Sequence, residues 1–119
     1  MSAEKVHFAK TSTSDRSYQV FFEQELILES NHAIELDEHY DGKDFGTVIY
    51  FPEPDIAALQ ILKTGRTTHC PIKGDASYWS YREAENGIWS YQEPLPQVGR
   101  IKNHYAFDKA KGFRVSPAS

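Results

Sequence analysis

The chain has 119 residues, of which 39% are apolar, 25% charged and 13% aromatic, a globular profile large enough to enclose one core without metal or disulfide help. Thirteen Lys and Arg against seventeen Asp and Glu give a formal charge of -4, and no basic run follows the pattern of a phosphate-backbone footprint, so no nucleic-acid partner is expected. One cysteine cannot form an internal bridge, and the absence of a leader-like or long apolar run makes a cytoplasmic protein without membrane contact the expectation.

Residues 9–17, AKTSTSDRS, are small and polar without periodicity. With the residues before them they read as a flexible lead-in, 1–17, to a single domain over 18–119. YQVFFEQELILES then gives two strand-like runs around Glu23-Gln24-Glu25, a hairpin signal despite the missing glycine. HAIELDEHY alternates as a third strand, and Asp-Gly punctuation precedes TVIYFP, a β-branched and aromatic run ending at proline. PEPDIAALQILKTG carries early prolines, Asp55 in a first turn, and Ile56, Leu59 and Leu62 at helical spacing before Gly65, which predicts a short helix or a single helical turn. RTTHC, ASYWSYRE, GIWSYQE and NHYAFD are further strands, with one helical turn in QVGRIKN and a last strand in GFRV. The fold class is therefore mainly β with one or two short helices.

Alternation places side chains on faces. Ile34, Leu36, Glu38 and Tyr40 share one side of their strand, so Glu38 ends an apolar row and needs a partner if it is not at the strand's wet end. Glu35, Asp37 and His39 take the other side. Their spacing could hold a divalent ion, but a polar row is what an outer sheet face looks like, and neither a metal nor another cofactor is predicted. Trp89 and Tyr91 share a face, as do Trp79 and Tyr81; such rows build cores and also line small-molecule pockets.

In THCPIKGDASYW, Pro71 extends Cys70 and Gly74 permits a turn, which brings Lys73 near the thiol in space. A nearby ammonium favours thiolate, the reactive species, while a small buried cysteine is the plainer role. His69, adjacent in an extended segment, should face away from Cys70. A cysteine enzyme would need His7, His32, His39 or His104 instead, and the sequence selects none of them.

VIYFPEPD, THCPIKGDASYW, WSYQEP and AFD in this order resemble the family described as domain of unknown function 427, from about Tyr18 to Val115. Tyr50, Phe51, Pro52 and Asp55 match one motif; Cys70, Pro71, Lys73, Gly74, Ala76 and Tyr78 match a second; Trp89, Tyr91 and Pro94 match a third. Ser30 and Glu38 sit where the family has a serine and a glutamate. The resemblance implies a β-tent, small antiparallel sheets leaning together over a cleft, and supplies no activity. Zinc-bearing tents use paired Cys-x-x-Cys motifs, absent here, and sulfoxide-reductase chemistry lacks a resolving cysteine. A nucleotidyltransferase name attached to the family lacks its clustered aspartates and Gly-Ser approach in this chain.

The functional expectation is a cleft that binds a small molecule or peptide, lined by Tyr50, Trp89 and Tyr91, with Glu38, Cys70 and Lys73 as its polar groups. The competing expectation is an enzyme of transferase or hydrolase type, with Cys70 as nucleophile or Lys73 as activated amine and Glu38 as proton carrier. A third is a protein-interaction module using sheet edges and exposed aromatics. The sequence names no ligand and no oligomeric state.

Overall fold

The computed structural model describes residues 6–118. Residues 1–5 of the expected lead-in and residue 119 lie outside the described residues. The strands are β1 (His7–Thr13), β2 (Tyr18–Phe22), β3 (Glu25–Ser30), β4 (Ile34–Tyr40), β5 (Lys43–Pro52), β6 (Leu62–Cys70), β7 (Gly74–Tyr81), β8 (Ala84–Ser90), β9 (His104–Phe107) and β10 (Phe113–Pro117). One helical turn, α1 (Glu53–Ile56), follows β5, and 3-10 turns cover Pro96–Ile101 and Lys109–Lys111. Among the described residues no helix is long and apolar enough to cross a membrane.

All pairing is antiparallel. Seven strands form a sheet in the order β1-β4-β5-β9-β8-β7-β6, and β10-β2-β3 form a second. β5 is the joint of the larger sheet. It pairs with β4 from Lys43 to Tyr50, yet only Phe51 and Pro52 reach β9. The sheet is thus two leaves, β1-β4-β5 and β9-β8-β7-β6, held edge to edge by two residues.

The turns follow from backbone chemistry. Asp41 (φ 52) and Gly42 (φ 76) join β4 to β5 in the left-handed pair that a two-residue hairpin favours. Glu23 (φ 47) and Gln24 (φ 75) adopt the same geometry between β2 and β3 without a glycine. A hydrogen bond from the Glu23 amide to the Gly112 carbonyl, 3.1 Å, ties that strained turn to the residue that leads into β10.

Each face of the larger sheet has its own core. The first is a hydrocarbon layer between the sheets: Trp79, Tyr81, Ile88, Tyr105 and Phe107 meet Tyr18, Val20, Phe22, Leu28 and Phe113. The second is shared by the two leaves. There Ile34, Leu36 and Tyr50 from one leaf meet Ala76, Tyr91 and Ala106 around the other, closed by Val98 and Ile101 of the 3-10 turn.

Two sequence expectations change and a third narrows. The lead-in over 9–17 is ordered in part as β1, which pairs along β4 from His7↔Tyr40 to Thr13↔Ile34. Only Ala9 of β1 is buried, so the strand is held by backbone bonds to a distant segment, and no apolar periodicity announces it. The short helix expected over PEPDIAALQILKTG is present as a single turn, the shorter of its expected forms, because Leu62 already begins β6 and is 74% exposed. Thr67 and Thr68 are β-branched and suit the ladder with β7 better than a helix. β5 also starts earlier than TVIYFP suggested, at Lys43.

Candidate functional site

The second core carries the polar chemistry. Ala9, Leu36, Glu38 and Tyr50 project into it from the first leaf, as the pairings Ala9↔Glu38 and Ile34↔Tyr50 require. From the second leaf Cys70, Tyr78 and Trp89 point the same way, because Cys70↔Gly74 and Tyr78↔Trp89 place them on one face.

Lys73 occupies the turn between β6 and β7, which is fixed from both sides. Its carbonyl accepts a hydrogen bond from the Leu95 amide at 2.9 Å, and Gln97 Nε2 donates to the Ile72 carbonyl at 3.0 Å. Gly74 (φ +107) completes the turn, and a Cβ there would lie 3.3 Å from the Glu93 carbonyl oxygen. The turn therefore aims one side chain inward. Lys73 Nζ donates to Glu38 Oε1 at 2.9 Å and lies 5.6 Å from the centre of the Tyr91 ring.

Glu38 is held twice. Its second oxygen meets His7 Nε2 at 2.8 Å, and its side chain is 24% exposed against 12% for Lys73. Burial works against charge on both groups, raising the Glu38 carboxyl and lowering the Lys73 ammonium. The hydrogen bonds and charges between them win: Glu38 titrates below the usual carboxylate range, and Lys73 above the usual lysine value. The pair is a fixed salt bridge. In that state Lys73 has no lone pair for attack and Glu38 has no proton to give.

The rings surround this pair. Trp89 Nε1 donates to the Tyr50 hydroxyl oxygen at 3.1 Å, with the rings edge to face at 6.4 Å, and Tyr91 is 6.5 Å from Tyr50. Burial pushes the hydroxyls of Tyr50 and Tyr91 well above the ordinary tyrosine value, so both stay neutral. Cys70 is half-buried against the same core, and the Lys73 amide donates to its carbonyl at 3.3 Å.

Of the six residues expected at the site, all six thus cluster, but in layers. Lys73, Trp89 and Tyr91 line an open trough of about 410 Å³, together with Tyr78, Arg66 and Lys111. Tyr50 is fully buried beneath it, and Glu38 anchors Lys73 from behind. Cys70 packs among the core side chains. Sequence reasoning missed His7 as the second partner of Glu38, because β1 itself was missed. It also missed Arg66 and Lys111, which are exposed bases with no local pattern. His69 faces away from Cys70 as expected, bonded to Asp75 at 2.7 Å on the exposed side.

The other acidic candidates have structural partners. Glu35 accepts from the Tyr18 hydroxyl at 2.6 Å, Asp37 accepts from Thr47, and His39 stacks on Phe8 at 4.8 Å. Ser30 donates to the Asp55 carboxylate and accepts from the His32 amide at 3.1 Å, which staples α1 to the end of β3.

Comparison with curated proteins gives no match. A family pattern covers residues 10–116, which takes in every element of the trough and all of β5 through β9. The chain belongs to the family described as a domain of unknown function, DUF427.

Proposed function

We propose that this domain binds a small molecule or short peptide in the trough over Tyr78, Trp89 and Tyr91, acting in the cytoplasm, where a lone cysteine stays reduced. The observation that carries the reading is the fixed Lys73–Glu38 bridge beneath the rings. Burying a salt bridge costs stability relative to hydrocarbon of similar shape, and this one holds an ammonium at the wall of an open hollow. Flat aromatic faces give a ligand contact area at little entropic cost, and the fixed bridge gives the hollow a rigid polar wall.

The test is mass spectrometry of small molecules released by denaturing the purified protein, beside the variant Trp89→Ala. A compound recovered in near-stoichiometric amount from the wild type and lost from the folded variant supports the reading. Recovery of nothing from either, with no thermal shift from a metabolite extract, overturns it.

A further inference from the structure

The trough has an electrostatic asymmetry that its salt bridge does not consume. Arg66, Lys73 and Lys111 line it against one acid, Asp108. The Lys73 charge is answered by Glu38, and Asp108 accepts from the Ala110 amide at 2.9 Å. Among the described residues no carboxylate lies within ion-pair distance of Arg66 or Lys111. This excess of positive charge occurs in a chain whose formal charge is -4, so it is a local feature rather than background. The Arg66 guanidinium also lies 5.0 Å from the Tyr78 ring centre, which steadies the planar group at the trough wall while leaving its N–H edge available.

We infer that the ligand class is an oxyanion carried on a flat ring, a carboxylate or a phosphate ester, whose charged end is met by Arg66 and Lys111 while its ring lies on Trp89 and Tyr91. This deepens the binding reading above and rests on it. A guanidinium fork matches two oxygens of either oxyanion, and the ammonium of Lys111 adds a second, adaptable donor. Lys73, already paired, sets the depth of the trough and is not the anion's partner.

The experiment is calorimetric titration of the full chain with a matched series on one ring: 1-naphthyl phosphate, 1-naphthaleneacetate and the neutral 1-naphthaleneacetamide. Both oxyanions are expected to bind at least about tenfold more tightly than the amide, the worth of one charge-assisted hydrogen bond. The tighter of the two identifies phosphate or carboxylate as the native group. Arg66→Gln and Lys111→Gln should each weaken oxyanion binding about tenfold and leave the amide unchanged. Both sites are exposed, and an unchanged thermal midpoint verifies folding. If the amide binds as tightly as the oxyanions, or if neither variant alters oxyanion affinity, the charge inference falls while the aromatic trough stands. If no member of the series binds at millimolar concentration, the trough reading falls and takes this inference with it.

Discussion

The two faces of the seven-stranded sheet are packed by different chemistry. Under the three-stranded sheet, Phe22 sits 4.9 Å from Phe113 and 5.3 Å from Tyr81, and Phe107 lies 5.1 Å from Phe113. Among the described residues no charged side chain is buried in that layer. On the opposite face the leaves bring Glu38, Lys73 and the Tyr50 and Tyr91 hydroxyls together under an open hollow. A layer that only has to hold two sheets together gains most from hydrocarbon, while a face that presents charge beside rings gives up stability for that arrangement.

Substitutions can break this contrast. Phe22→Ala removes a ring that is 2% exposed from the sealed layer and should cost about 3–5 kcal/mol, read as a lower urea midpoint. A loss under about 1 kcal/mol would mean the layer is not the principal core. Lys73→Met on the other face should cost about 1–3 kcal/mol, because it leaves the Glu38 carboxylate desolvated with only His7. Combining it with Glu38→Leu should recover part of that loss, since both charges are then gone. A double variant worse than either single would refute the salt-bridge account.

The same pair gives a pH signature. Glu38 titrates lower in the folded protein than its ordinary value, so its stabilisation is complete above the unfolded carboxyl pKa of about 4.3 and is lost as pH falls through the folded value. Lys73 titrates higher in the folded protein; its contribution is complete below about pH 10.4 and is lost as pH climbs through the folded value. The stability gap between wild type and Glu38→Gln should therefore narrow below about pH 4, and a gap that stays constant to pH 3 would contradict it.

Smaller effects sharpen the comparison. Tyr50→Phe deprives the Trp89 indole of its acceptor and should cost about 1 kcal/mol, with a shift in tryptophan emission. The exposed Arg82–Glu25 bridge, at 3.1 Å, lies on neither core, and Glu25→Gln should leave the thermal midpoint unchanged. A clear fall would show that surface charge contributes more to this fold than either face's geometry suggests.

Much of the fold was legible because it rests on local rules. Alternation put Ile34 and Leu36 on an inward row, and it placed Trp89 with Tyr91 on one face and Trp79 with Tyr81 on another, as the two cores hold them. Glu38 was legible for the same reason, as a charge on an apolar row. Its His7 partner was not, because β1 is recognised by β4 through main-chain bonds that any polar sequence can make. The helix after β5 stops at one turn because Leu59 and Leu62 fit a helical face only until β7 offers Leu62–Cys70 a ladder.

By itself the sequence determined the mainly β architecture, the turn positions and which residues share a face, since strand period and turn conformation are properties of neighbouring residues. Only the tertiary structure decided that Lys73 closes on Glu38, that Tyr50 lies beneath Trp89, and that Arg66 and Lys111 border one hollow. Those meetings depend on how the β1-β4-β5 and β9-β8-β7-β6 strands pack around their shared core. That packing joins segments far apart in the chain, and no local pattern encodes it.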